Sequence, residues 1–279
     1  MTQRKIFIFC DGGLGNRLNS LIGGLVIAET YSLSPVVCWP ENNWCGCSFD
    51  DLFENNFLID NNDVFYFFKE DSNNLFLSIT DNGIKLKNLF EPNVESIDQI
   101  RHTNVDIVYY HNKIPKNLNQ EKVLAFAKQL KIKSSIINQA NQFITAKSIS
   151  RHTKGLHVRK TDFPNQLDSD RLFHDVSIDK NSNYFICSDD QDTEQQFCTL
   201  PNVCALPKTS YVQKLNDGNW RQTTTDTSGR IFDFNVDRPK QSVIEALVDL
   251  LILSRTTISV KNKSTFLSWA HMYSTIGYR

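Results

Sequence analysis

The chain has 279 residues, enough for two domains or one large α/β unit, and enough to bury a core without disulfide staples. Its 30 Lys and Arg stand against 31 Asp and Glu, a net charge of -1 that argues against a protein held on nucleic acid by bulk charge and leaves room for a local site for a small anion. No uncharged apolar run approaches the roughly 18 residues of a membrane span, and the first residues carry only a five-residue apolar run before Asp11, too short for a signal peptide.

Residues 5–10 contain a continuous apolar run, the pattern of a strand covered on both faces. Gly12-Gly13-Leu14-Gly15-Asn16-Arg17 makes a glycine turn, and Leu18, Leu21, Ile22, Leu25 and Val26 follow at helical spacing. Residues 35–39 are the next strand, which completes a βαβ unit. Strand patterns recur at 64–68, 75–79 and 105–110, and helical patterns with Lys and Gln on their polar faces at 120–130 and 134–146. A second series follows: strands at 155–159, 184–187, 202–206 and 257–260, and helices at 191–198, 241–254 and 264–274. The polar stretch 208–238 reads as loop. The alternation predicts an α/β class with two Rossmann-like domains, residues 1–150 and 151–279.

Seven cysteines is an odd count, and Cys10 and Cys187 sit at the ends of apolar runs, as small buried hydrophobes do. Cys45-Gly46-Cys47, with no second Cys or His pair nearby, is a poor zinc signal. The expectation is a reduced, cytoplasmic chain.

Glycines between a strand and a helix let backbone N–H groups approach a phosphate, or simply let the chain turn. The turn is no P-loop, because no Gly-Lys-Ser/Thr follows. It is a poor dinucleotide fingerprint, because the second strand ends in Cys38-Trp39-Pro40 with no acid for a ribose. In His157-Val158-Arg159-Lys160-Thr161-Asp162, His157 and Arg159 fall on one side of a strand end, where open α/β sheets bind ligands. Arg159 offers a fork of donors to phosphate, and Asp162 can hold it; the alternative is a surface strand with a structural Arg–Asp pair. Ser188-Asp189-Asp190 opens a helix, and capping by Ser188 or Asp189 explains the acids better than a metal. Glu245 and Asp249 interrupt an apolar helix, either as a solvated face or, for Asp249, as an acceptor for a guanine edge. Ser264-Thr265 starts the last helix, as an N-cap or an anion site.

In this order these elements resemble the fucosyltransferases of the GT-B fold, the α1,6-fucosyltransferase and nodulation-factor enzymes with the protein O-fucosyltransferases further off. The matching pieces are the glycine turn, the His-x-Arg-x-Thr-Asp strand end, Phe173-His174, the strand ending in Ser188-Asp189-Asp190, and Asp249 followed by Leu253-Ser254 and Ser264-Thr265. Lys160 replaces the family's second Arg, and residues 163–169 are extra. The resemblance implies two Rossmann-like domains facing a cleft, the first on the acceptor side and the second binding GDP-sugar. It implies inverting, metal-independent transfer of L-fucose from GDP-β-L-fucose to a glycan hydroxyl. Arg159 would stabilise the departing diphosphate and Asp170, three residues before Phe173-His174, would be the base. Gly13, Gly15, Asn16, His157, Asp249, Ser264 and Thr265 would bind donor, and no metal or other cofactor is implied. Another GDP-sugar as donor, or an inactive sugar-nucleotide-binding protein, is the alternative. An NAD(P) oxidoreductase is disfavoured by the missing ribose acid.

Overall fold

The computed structural model describes residues 4–59, 75–80, 83–88, 107–110, 113–161, 168–225, 231–232, 234–259 and 264–277. The strand expected at 64–68, Asp162, and residues 163–167 and 260–263 lie outside the described residues. The chain forms two compact units, Met1–Glu41 with Ser48–Lys131 and Asn42–Cys47 with Ile132–Arg279.

The first unit runs β1 (Lys5–Phe9), α1 (Leu14–Thr30), β2 (Ser34–Cys38), α2 (Phe49–Leu52), β3 (Leu75–Thr80), β4 (Gly83–Asn88), β5 (Ile107–Tyr109) and α3 (Gln120–Gln129). Its sheet has the order β2-β1-β5-β3-β4, parallel except for the edge strand β4. Ile6 and Ile8 of β1 are fully buried, as the continuous apolar run predicts. Helix α1 is buried from Leu14 to Ala28 except at Asn16, because it packs on the sheet and against α3. The sheet approaches so closely that a Cβ on Gly24 would stand 2.6 Å from Ile8, which accounts for a glycine in mid-helix despite its cost of ~1 kcal/mol. Beside the end of β2, Trp39 packs edge-on against Phe49 and Phe53, at ring centroid distances of 5.6 and 6.0 Å.

The second unit runs α4 (Ser134–Ala146), β6 (Lys154–Val158), α5 (Ser169–Ile178), β7 (Tyr184–Ser188), α6 (Gln191–Phe197), β8 (Val203–Cys204), β9 (Thr224–Thr225), β10 (Ile231–Phe232), α7 (Lys240–Leu253), β11 (Thr257–Ile258) and α8 (Thr265–Ile276). A fully parallel sheet has the order β11-β6-β7-β8. Leu156, Val158, Val176, Ile186 and Phe197 form the core cluster at β6, β7, α5 and α6, with Phe173 packed against it. Helices α4 and α7 pack together, and Phe143 of α4 meets Phe185 of β7 with ring centroids 6.0 Å apart.

That packing corrects the expected boundary. The apolar stripe of α4, Ile136, Ala140 and Phe143, is buried in the second unit, so the units divide at Lys131 and Ile132 instead of between residues 150 and 151. Residues 42–47 also belong to the second unit: Gly46 N–H donates to the Arg238 carbonyl, Arg238 N–H to the Asn43 carbonyl, and Trp44 meets Phe234 edge-on. Only residues 203–204 of the expected strand 202–206 pair as strand, and the stretch read as loop contains the short antiparallel pair β9–β10.

Candidate functional site

In the first unit the glycine turn is shaped by Gly12, whose φ of +78° favours a residue without Cβ. Gly13 is extended and precedes α1 with no side-chain cap, and Gly15 is buried in the first turn. A Cβ on Gly13 would meet nothing within 4 Å. The first-turn N–H groups of Asn16 and Arg17 both reach the Gly13 carbonyl, at 2.9 and 3.1 Å. Arg17 is wholly buried: Nε donates to the Gly12 carbonyl at 2.8 Å and Nη1 to the Pro40 carbonyl at 2.7 Å, with the guanidinium 5.2 Å from the Trp39 ring. One side chain thus pins the segments that leave β1 and β2.

In the second unit the expected residues gather at the C-terminal ends of the parallel strands. His157 is the penultimate residue of β6, buried and stacked on Phe266 of α8 at 4.7 Å and 19°. That stack sets the start of α8 beside the end of β6. Burial, then the charges of Arg159 and Lys208, lowers the imidazole to about 3, so His157 is neutral at ordinary pH. Ser264 is the N-cap of α8, its Oγ accepting from Phe266 N–H at 3.2 Å, and Thr265 is the first helical residue.

Arg159 follows β6, with Nε 4.0 Å from Asp189 Oδ2. Asp189 also accepts from Lys160 N–H at 2.8 Å and from the Thr161 hydroxyl at 2.5 Å. It therefore buttresses the turn after β6, while Asp190 caps α6 by accepting from Thr193 N–H at 2.9 Å. The cap is thus one residue later than expected, because Asp189 is drawn to the neighbouring strand end. The Lys160 ammonium bonds the hydroxyl of Ser169, the first residue of α5. Asp170 follows it, exposed in the first turn, where Asp168 caps by accepting from Arg171 N–H at 3.0 Å. His174 is exposed and Phe173 packs against Phe197.

Asp249 and Glu245 are both buried, which removes the solvated-face alternative. Glu245 is committed to structure. Its two oxygens accept from Thr209 N–H and hydroxyl, Ser210 N–H and the Gln241 amide, tying the segment after β8 to α7. That segment supplies Lys208, which sequence reasoning missed inside an apparent loop. The Lys208 ammonium reaches Asp249 Oδ2 at 2.7 Å, Glu194 Oε1 at 2.5 Å and the Ser188 carbonyl at 2.7 Å. Glu194 is held by Ser188 N–H and the Tyr211 hydroxyl, both at 2.7 Å. Asp249 Oδ1 is buried without a hydrogen-bond partner among the described residues. One ammonium faces two carboxylates, so one negative charge is uncompensated. Burial accordingly pushes the Asp249 carboxyl up, against the pull of Lys208. Asp249 and Glu194 hold Lys208 above its ordinary value although burial opposes this. The strand ends thus offer a cation at Arg159, a helix start at Ser264, a neutral imidazole, and a buried carboxylate oxygen lacking a donor.

No protein-family profile matches the chain, and no curated protein matches it in sequence. Solved structures do. Fucosyltransferase NodZ from Bradyrhizobium is 17% identical with a TM-score of 0.58, covering 97% of this chain and 93% of its own. NodZ α-1,6-fucosyltransferase co-crystallized with GDP gives 16%, 0.59, 97% and 92%. A mutant of Arabidopsis thaliana FUT1 in complex with GDP gives 14%, 0.54, 97% and 68%. At these identities the likeness is one of fold, and the chain has the GT-B-like α/β fold seen in those fucosyltransferases.

Proposed function

We propose that the protein is a glycosyltransferase that moves L-fucose from GDP-β-L-fucose to a hydroxyl of a glycan or glycoconjugate, with inversion and without a metal. The observation that carries this reading is the buried Asp249 oxygen lacking a donor, at the same strand ends as Arg159, His157 and the start of α8. Guanine presents an N1–H and an N2 amine on one edge, which suits that oxygen and the remaining lone pair of Oδ2. Uracil offers one imide N–H and adenine no such pair. The fold shared with a NodZ structure co-crystallized with GDP supports the same reading.

The acceptor oxygen attacks C1 of the sugar as the C1–O bond to the β-phosphate breaks, so negative charge gathers on departing GDP. Arg159 and the N–H groups at Ser264 and Thr265 stabilise that charge, and Asp170 takes the acceptor proton. His157 lines the nucleotide as a neutral imidazole and adds no charge of its own. Gly13, Gly15 and Asn16 of the first unit are proposed to bind donor as well, through backbone N–H groups at the glycine turn. The first domain would serve the acceptor and the second GDP-sugar.

Calorimetric titration with GDP, UDP and ADP tests the reading, together with release of GDP from GDP-fucose using water as acceptor. GDP binds in preference to both, and Arg159→Ala lowers turnover by about 10²–10³-fold. Equal affinity for GDP and UDP would overturn it.

A further inference from the structure

The role of Lys208 goes beyond any feature of the motifs. It comes from the segment after β8, its side chain is 5% exposed, and its ammonium lies between Asp249 on α7 and Glu194 on α6. Its other contacts are the Ser188 carbonyl and the face of Tyr211, 5.2 Å from the ring centroid. Glu194 has further donors in Ser188 N–H and Tyr211, whereas Asp249 has Lys208 and nothing else hydrogen-bonded to its carboxylate among the described residues. Remove the ammonium, and Glu194 retains two donors while Asp249 retains none.

We propose that Lys208 is the positioning residue for nucleotide recognition: it holds Asp249 Oδ2 and keeps the carboxylate ionised, so that Oδ1 stands ready as an acceptor, while Glu194 competes for the same ammonium. The inference rests on the guanine reading of Asp249 above. A protonated Asp249 would present a hydroxyl to a base edge made of donors, and recognition would fail. The charged and titratable groups around Asp249 are Lys208 and Tyr211 from the segment after β8, Glu194 from α6, Cys187 from β7, and Glu245 from α7 itself. His157 of β6 stands near Lys208 and is neutral. Lys208 is the one cation among these described groups, so against the upward push of burial it favours the ionised form of Asp249, and Glu194 opposes it.

The two neighbours of Asp249 therefore have opposite effects. In Lys208→Met the carboxyl rises, and GDP binding is lost at a higher pH than in the wild type. At a pH below both midpoints, affinity is lower than in the wild type by roughly tenfold for each unit of the rise. In Glu194→Gln the ammonium turns wholly to Asp249, and binding persists to lower pH. A purely structural role for either residue would lower the unfolding temperature and leave the midpoint in place. The experiment is calorimetry of GDP with the full chain across a pH series, for wild type and both variants. The ionisations of GDP are common to all three.

Midpoints displaced in opposite directions are the expected result. Unmoved midpoints, or displacement in one common direction, would overturn the inference. If Lys208→Met does not fold, Glu194→Gln decides alone: a downward shift supports the inference and an unchanged profile overturns it. Wild-type chain that binds GDP no better than UDP would end the guanine reading and this inference with it. Loss of GDP in Asp249→Ala, with an unmoved profile in Lys208→Met, would end only this inference.

Discussion

At the end of β1 the buried charge is Arg17, and carbonyls of the first unit take up its donors. At the ends of β6 and β7 the buried charges are Lys208, Glu194 and Asp249, and one carboxylate oxygen has no hydrogen-bond partner among the described residues. Both places lie at the C-terminal ends of parallel strands. The first uses charge to hold backbone in shape, because a guanidinium can bridge two carbonyls from different segments. The second carries more negative charge than the protein itself neutralises, and that imbalance marks a place for a ligand. Deleting a charge should therefore destabilise the first region, whereas neutralising Asp249 should stabilise the second and disable it.

The largest expected effect tests the first half. Arg17→Met removes two charge-assisted hydrogen bonds and leaves the Gly12 and Pro40 carbonyls short of a donor, which should cost ~3–5 kcal/mol in urea unfolding. A loss below about 1 kcal/mol would mean that the turn does not depend on Arg17. Next comes binding: Asp249→Ala should weaken GDP by about 1.5–3 kcal/mol and UDP far less, by calorimetry.

A third test uses pH. His157 is lowered from 6.5 to about 3, so its neutral form stabilises the folded state above the unfolded value and that stability drains away as pH falls toward the folded one. Between about pH 7 and 5 the wild type should lose ~2 kcal/mol more than His157→Gln. Asp249 has the opposite sign, its carboxyl being raised, so the slope is read as the difference between the two curves. Parallel curves would place the imidazole in water. The smallest effect is the most pointed. Asp249→Asn should raise the stability of the ligand-free protein by about 1 kcal/mol, since it removes the uncompensated charge. It should weaken GDP at the same time. A destabilised variant would mean that Asp249 is held for structure, as Arg17 is.

The alternation of strands and helices was legible because apolar periodicity is local. Residues 134–146 coincide with α4, and 241–254 falls one residue from α7 at either end. What failed was long-range. Nothing near α4 tells that Phe143 packs on Phe185, so the boundary was misplaced by about 19 residues. The cap falls on Asp190 and not on Ser188 or Asp189, because a strand end remote in sequence supplies Asp189 with donors at Lys160 and Thr161. Asp249 stood out as an acid in an apolar helix. Lys208 did not, because a lysine in a polar stretch looks like any solvated lysine until tertiary structure sets it between two acids. Its one local signal was its place just after a strand and Pro207.

The hexapeptide Asn42–Cys47 has a consequence in time. It is flanked in the chain by residues of the first unit, yet Cys47 bonds the carbonyl of Lys240, 193 positions later. At a synthesis rate of about 5–20 residues per second, the ribosome delivers that partner roughly 10–40 s after the hexapeptide. Until then Trp44 lacks Phe234 and Arg238, and Cys45 and Cys47 are without the cover that later buries them. The second unit therefore cannot finish from its own contiguous stretch, and a gene fragment starting at Ile132 would yield a unit missing one of its pieces.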